Sequence, residues 1–258
     1  MSLASRLRAG ETVFSAWCNL PHPLVMETLC RTDFTAFMLD MQHGPFDTES
    51  VLQSIGIIQG AGKHTVVRIP VDRFDMASRA LDFGAEGIIA PMINSVEDAR
   101  RFAASMKYPP VGERSWGQLR GRPASYGASG SGGYLTEVNA KTLAFAMIET
   151  RAAFAALDGI LAIDGIDGVF VGPADFSIGW SNGAEVDAGS QAIIEPLREI
   201  AAKARAAGKL CGIYAPNAEL AKRFTGLGFT YVPISVDTAY LQLGVQTLLA
   251  AVRASGDK

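Results

Sequence analysis

Two strongly apolar runs lead into carboxylates. Leu143-Ala144-Phe145-Ala146-Met147-Ile148 runs into Glu149, and Gly168-Val169-Phe170-Val171 is followed by Gly172-Pro173-Ala174-Asp175. A buried strand has no reason of its own to finish on an acid. Two carboxylates with open positions suit Mg²⁺ or Mn²⁺, which keep waters and take substrate oxygens; the alternative is a pair of acids salt-bridged to Arg68. A third acid, Asp40, closes the apolar run from Phe34 and precedes Met41-Gln42-His43-Gly44-Pro45. Of the three histidines, His22 lies in a loop, His64 precedes a strand, and only His43 directly follows a strand end. A neutral imidazole there suits a general base; the alternative is a surface histidine. Arg68 stands just before Pro70, and a permanent cation at such a place is costly unless it meets an anion. It would stabilise a developing enolate or a bound carboxylate, or form an ion pair with Asp40 or Glu149, and both can hold together. Gly172-Pro173-Ala174-Asp175 reads as a turn into a short helix. The N–H groups of Ala174 and Asp175 could hold the carboxylate of a 2-oxo acid, or serve as an ordinary helix entry.

What must position these groups is a repeat of strand and helix. Candidate strands are Thr12–Cys18, Phe34–Asp40, Thr65–Ile69, Gly87–Ala90, Leu143–Glu149, Gly168–Gly172, Leu210–Tyr214 and Thr230–Ile234. They are short and apolar without polar alternation, as parallel strands buried on both faces are. Helical periodicity covers Thr48–Gln59, Arg73–Phe83, Val96–Met106, Gln191–Ala207, Ala218–Leu227 and Thr238–Ala254, and Gly84, Gly208 and Gly228 follow helices as C-terminal caps do. Eight alternations in 258 residues match one α/β domain over residues 1–258, a closed (β/α)8 TIM barrel, rather than an open doubly wound sheet. The active site of such a barrel lies at the C-terminal strand ends. Asp40, His43, Arg68, Glu149 and Asp175 all fall there. The stretch from Lys107 to Thr142, with Pro109-Pro110 and Gly130 to Gly133, is too long for a plain connector and reads as a lid or binding loop. A Schiff-base mechanism needs a lysine at a strand end. Lys63, Lys141 and Lys209 precede strands, and the other lysines fall in or after helices or at the terminus.

Composition excludes further classes. Hydrophobic residues make up 48% and charged residues 19%, enough apolar side chain for a large core. A net charge of −3 offers no basic surface for nucleic acid or anionic lipid. Cys18, Cys30 and Cys211 form no disulfide framework, which points to a reduced, cytoplasmic setting. The segment from Met1 to Glu11 lacks the apolar core of a secretory signal, and no apolar run reaches the roughly 20 residues that span a bilayer.

Six ordered blocks carry a resemblance. Asp40-Met41-Gln42-His43-Gly44-Pro45, Val67-Arg68-Ile69-Pro70, Leu81-Asp82-Phe83-Gly84-Ala85, Tyr108-Pro109-Pro110-Val111-Gly112, Ile148-Glu149-Thr150 and the run from Gly168 to Asp175 stand in order. Together, and over nearly the whole chain, the sequence resembles the HpcH/HpaI aldolase family, the metal-dependent class II pyruvate aldolases. The resemblance implies that Glu149 and Asp175 bind a divalent metal, which pyruvate chelates through its keto and carboxylate oxygens. Arg68 would contact the keto oxygen and stabilise the enolate. His43, paired with Asp40, would act through a metal-bound water in proton transfer. Gly172, Pro173, Ala174 and Asp175 would line the pyruvate carboxylate. Asp82, facing the far side of its own barrel, would reach His43 of a neighbouring subunit. Arg120 and Arg122 would recognise the distal part of the aldehyde. The resemblance also implies a trimer or hexamer with the last helix, Thr238–Ala254, exchanged between subunits. Two departures stand out: Met147 where glutamine is common, and Gln42 where glutamate is frequent. The activity implied is reversible cleavage of a 4-hydroxy-2-oxo acid into pyruvate and an aldehyde. The rivals are a CoA-ester lyase of the citrate-lyase β or malyl-CoA type, for which no basic cluster announces a phosphate site, oxaloacetate decarboxylation, and a non-catalytic binding protein that kept the scaffold.

Overall fold

The computed structural model describes residues 1–117 and 130–255. The first half runs α1 (Leu3–Arg8), β1 (Val13–Cys18), α2 (Pro23–Cys30), β2 (Ala36–Asp40), α3 (Thr48–Gly60), β3 (His64–Arg68), α4 (Phe74–Phe83), β4 (Gly87–Ala90) and α5 (Val96–Met106). The second runs α6 (Gly130–Lys141), β5 (Leu143–Ile148), α7 (Arg151–Ala155), α8 (Leu157–Leu161), β6 (Gly168–Val171), α9 (Pro173–Trp180), α10 (Gln191–Ala206), β7 (Leu210–Ile213), α11 (Ala218–Leu227), β8 (Tyr231–Ile234) and α12 (Asp237–Ser255). The eight strands are all parallel, in sequence order, and close between β8 and β1. This is the (β/α)8 barrel that the alternation implies.

Each strand is apolar because it is buried twice. Ala16, Phe37, Val67, Ile88, Ala144 and Val169 belong to the large cluster shared with the helices. Their sequence neighbours belong to a second cluster that includes Trp17, Met38, Val66, Ile89, Phe145, Met147, Phe170 and Tyr231. Strand side chains alternate with period two, so this second cluster fills the lumen. α1 adds Leu3, Ala4 and Leu7 to it. The lumen is therefore a packed plug, open to chemistry only at its rim.

The inward period then selects the site. Stepping two residues from Met38, Val66, Met147, Phe170 and Gly212 reaches Asp40, Arg68, Glu149, Gly172 and Tyr214. β2 and β3 pair with Asp40 opposite Arg68, and β5 and β6 pair Met147 with Phe170 and Ile148 with Val171. One further step sets Glu149 against Gly172.

The stretch read as one long loop departs from that expectation. Its last part is α6, a twelve-residue helix that opens on the glycines from Gly130. Asn139 on α6 clamps the Tyr108 backbone at both ends, accepting from Tyr108 N at 2.8 Å and donating to Tyr108 O at 2.9 Å. Gly84 and Gly228 cap α4 and α11 in the left-handed region, at φ 107° and 106°.

α12 differs from the other barrel helices. Its first turn is tied to the rim: the buried Asp237 carboxylate accepts from Asn19 N and Leu20 N, both at 2.8 Å, and from Thr238 N at 2.9 Å. Beyond Tyr240 the helix leaves the body, and Leu241, Leu243, Val245, Leu248, Leu249 and Val252 are exposed. The outer face at the start of β1 is correspondingly open, with Phe14 exposed while Ala16 and Cys18 are buried. Phe14, Phe34 and Ile234 line a groove of about 430 Å³ there. No helix among the described residues is long and apolar enough to cross a membrane.

Candidate active site

Asp40 and Arg68 form the rigid side of the rim. Their strand register places the side chains next to each other. Arg68 donates from Nε to Asp40 Oδ1 at 2.9 Å and from Nη2 to Asp40 Oδ2 at 2.6 Å, a bidentate pair with both partners buried. The guanidinium also lies over the Trp17 ring, 4.6 Å from its centroid. Trp17 in turn donates Nε1 to Asp40 Oδ2 at 3.2 Å and meets Tyr214 edge-on. Burial alone would raise the Asp40 carboxyl. The bonds and charge of Arg68, with the His43 and Gln42 N–H groups, outweigh it and hold the pKa below the usual range. Of the two anions expected beside Arg68, Asp40 is its ion-pair partner.

His43 sits at the same mouth, and its connection to Asp40 differs from the expectation. The contact is through the backbone, His43 N to Asp40 Oδ1 at 3.3 Å, while the imidazole is exposed. Asp40 has no room for the ring, because Arg68, Trp17 and Gln42 N already occupy its oxygens. A tight turn brings His43 there. A Cβ on Gly44 would lie 2.5 Å from Asp40 O, so only glycine lets the turn close this far.

Glu149 forms the opposite side. Its carboxylate is buried, with Oε2 accepting from Met92 N at 2.9 Å. Met92 follows β4 in a left-handed conformation, φ 54°, which non-glycine residues adopt at a penalty. That conformation aims its N–H at Glu149. The other oxygen, Oε1, lies 2.6 Å from where a Gly172 Cβ would stand, and the Met147 methyl lies 3.0 Å from the same point. Gly172 is therefore the residue that gives the carboxylate its space, and the thioether of Met147 walls the pocket where an amide would have supplied a polar contact. Burial, joined by the charge of Asp175, pushes the Glu149 carboxyl up to about 7, against the Met92 N–H and Arg68, which pull it down.

Asp175 stands in the first turn of α9, exposed, after Pro173 and Ala174. The helix ladder starts with Phe176 N to Gly172 O at 2.9 Å, so the N–H groups of Ala174 and Asp175 precede any intrahelical acceptor and belong to the positive end of the helix.

The donor set fits a hard divalent cation. Glu149 and Asp175 are oxygen donors close enough to feel each other's charge, the Gly172 gap leaves one Glu149 oxygen accessible, and a cation would relieve the repulsion between the two acids. Among the described residues no group of three or more His, Cys, Asp or Glu side chains gathers as a metal site. The pair would leave coordination positions for water and substrate oxygens, as Mg²⁺ and Mn²⁺ prefer.

Other expected residues fall away from the rim. Asp82 lies in the last turn of α4 and pairs with Arg114, not with His43 of its own chain. Arg120 and Arg122 lie outside the described residues. His22 caps α2, and His64 pairs with Glu86 near the N-terminal strand ends. Lys63, Lys107 and Lys209 bond carbonyls on that same far side, so among the described residues the Schiff-base route stays closed. Trp17 and Met92 also belong to the site, and neither stands among the residues expected there. An inward aromatic two residues before a strand's exit was the available signal for Trp17; Met92 had none, because its role is carried by its backbone.

The chain resembles known proteins over nearly its whole length. The sequence profile of HpcH/HpaI aldolase/citrate lyase matches residues 14–242. The hydroxypyruvate/pyruvate aldolase of Rhizorhabdus wittichii is 36% identical over 245 residues, covering 95% of this chain and 96% of that protein. The 4-hydroxy-2-oxo-heptane-1,7-dioate aldolase of Salmonella arizonae is 34% identical, covering 95% and 91%. The crystal structure of an HpcH/HpaI aldolase from Desulfitobacterium hafniense superposes with a TM-score of 0.87 at 26% identity, covering 98% of this chain and 97% of that one. The chain belongs to the HpcH/HpaI aldolase/citrate lyase family.

Proposed function

We propose that the protein is a carbon–carbon lyase that reversibly cleaves a 4-hydroxy-2-oxo acid into pyruvate and an aldehyde. The observation that carries this reading is the rim itself: a buried, fixed guanidinium faces a pair of carboxylates, with an exposed imidazole at the mouth. Glu149 and Asp175 would hold a divalent cation, Mg²⁺ or Mn²⁺. When bound, that ion supplies a Lewis acid for the oxygens of the 2-oxo acid. The N–H groups of Ala174 and Asp175, with the small residues Gly172 and Pro173, would seat the substrate carboxylate. Arg68 would donate to the keto oxygen, held for that purpose by Asp40 below and Trp17 beside it.

In the cleavage direction His43 takes the proton of the C4 hydroxyl. The C3–C4 bond breaks as the C4–O bond becomes the aldehyde carbonyl. The released electron pair spreads onto the keto oxygen, where Arg68 stabilises the charge. Protonation at C3 then completes pyruvate. The same steps in reverse make the bond, and oxaloacetate decarboxylation, which delivers charge to the same oxygen, is expected as a side activity. Names of the relatives point to hydroxypyruvate or a long hydroxy-oxo diacid as neighbouring substrates, and Arg122 is proposed for the aldehyde's distal end.

The assembly belongs to the same reading. The exposed apolar length of α12 and the exposed Phe14 at the start of β1 support a homo-oligomer, a trimer or hexamer, in which α12 covers a neighbouring barrel. In that assembly Asp82 would reach His43 of a neighbouring copy and supply the side-chain partner that Asp40 does not. Residues 1–258 then act as one catalytic domain. Free buried thiols at Cys18, Cys30 and Cys211 suit a cytoplasmic enzyme.

The test is pyruvate release from a panel of 4-hydroxy-2-oxo acids, with and without EDTA, in the wild type and in Arg68→Ala. Release that EDTA stops, that added Mn²⁺ restores, and that Arg68→Ala abolishes without loss of fold is the expected outcome. An Arg68→Ala variant with wild-type turnover would falsify the assignment.

A further inference from the structure

Arg114 is almost wholly buried, its side chain 1% exposed, yet it lies outside the catalytic rim. It donates Nη2 to Asp82 Oδ1 at 2.6 Å and its guanidinium stacks on Tyr108, 4.7 Å from the ring centroid. Its Nε is buried with no hydrogen-bond partner among the described residues. As a source of stability this arrangement is poor. A buried guanidinium loses its hydration, and an apolar side chain of similar volume would serve packing as well. The acid it meets is poorly placed too: Asp82 is the next-to-last residue of α4, at the negative end of the helix. Two locally unfavourable choices side by side are explained if the Asp82 carboxylate itself is what the fold must present.

The surroundings are built to fix it. The Tyr108 backbone is clamped to α6 by Asn139, Arg114 N donates to Lys107 O at 2.9 Å, and Gly112 fits only as glycine, since its Cβ would lie 2.3 Å from Lys107 O. Asp82 Oδ1 is taken by Arg114. Its other oxygen runs past Gly117, where a Cβ would stand 3.2 Å away, and the side chain stays 28% exposed. One oxygen is anchored and the carboxylate remains presented at the surface.

We propose that Arg114 is a positioning residue for catalysis: through its pair with Asp82 and its stack on Tyr108 it aims the Asp82 carboxylate at the imidazole of His43 in a neighbouring copy. This rests on the intersubunit contact proposed above. Arg114 touches no substrate and acts only through Asp82.

The test uses the full-length, metal-loaded protein and measures kcat and KM for pyruvate release in Arg114→Met, Arg114→Lys, Asp82→Asn and the Asp82→Asn/Arg114→Met double variant, with sedimentation velocity on each. Misplacing a catalytic partner by about 1 Å costs on the order of a hundredfold, so Arg114→Met is expected to lose about tenfold to a hundredfold in kcat with KM within about twofold and assembly intact. Lysine keeps the charge but neither the fork nor the stack, so Arg114→Lys is expected to lose about threefold to tenfold. The double variant should be no slower than Asp82→Asn alone, because both changes remove one interaction. Wild-type kcat in Arg114→Met or Arg114→Lys beside an impaired Asp82→Asn overturns the role of Arg114, as do strictly additive losses. Wild-type kcat in Asp82→Asn overturns the intersubunit contact itself. If Arg114→Met does not assemble, Arg114→Lys decides.

Discussion

Glu149 carries a proton affinity unusual for a carboxylate, and the sign of its effect on stability follows. Burial and Asp175 raise its folded pKa from 4.5 to about 7. Between those values the folded, metal-free protein binds a proton that the unfolded chain has released. The group therefore contributes stability that is fully present below about 4.5 and lost as pH rises through about 7. The shift corresponds to an effect on the order of 3 kcal/mol. Metal-free wild type should lose Tm relative to Glu149→Gln as pH rises from the acid side to neutrality, and parallel Tm profiles for the two would contradict the burial argument. At this scale much of the site was legible. Asp40, Arg68 and Glu149 could be read because each stands on the inward period at a strand exit. What could not be read was which atoms meet. The Asp40 carboxylate engages the backbone of His43 and the indole of Trp17, and the Met92 peptide holds Glu149. The Trp17 and Met92 contacts depend on approach between segments far apart in sequence, and the His43 contact on the close turn that Gly44 permits.

Among the elements, the strands followed the sequence reading closely because a doubly buried parallel strand has no competing pattern. The helices were less legible where a helix is short or starts on glycine. α1, α2, α7 and α8 offer too few turns for a period to show, and α6 begins with residues that ordinarily signal a turn. Asp237 shows how one element holds another. Its carboxylate caps α12 and pins the Asn19 and Leu20 N–H groups that follow β1 at the rim. Asp237→Ala would leave those part-buried donors without their acceptor, a loss of about 2 kcal/mol. The expected signature is a lower Tm together with faster amide exchange at Asn19 and Leu20. Unchanged exchange at those two amides would remove Asp237 from the rim's support.

For the molecule as a whole, the unusual features are an apolar groove at the start of β1 and one helix that leaves the barrel. A lone 19-residue helix exposing six large apolar side chains is a poor end state in water. Packing on a neighbour resolves both defects at once. In the proposed assembly, charged substitutions at Leu241 and Leu248 should give smaller species by sedimentation velocity, and activity should fall with assembly if Asp82 completes the site of another copy. Wild-type assembly in the Leu241→Glu/Leu248→Glu variant would place the interface elsewhere. The central claim, however, concerns the two acids. Mn²⁺ binding to metal-stripped protein, followed by titration calorimetry in the wild type, Glu149→Gln and Asp175→Asn, tests it most directly. The account predicts one site per chain in the wild type and a loss of affinity of about a hundredfold or more in each variant. Wild-type Mn²⁺ affinity in both variants would show that Glu149 and Asp175 do not hold the ion.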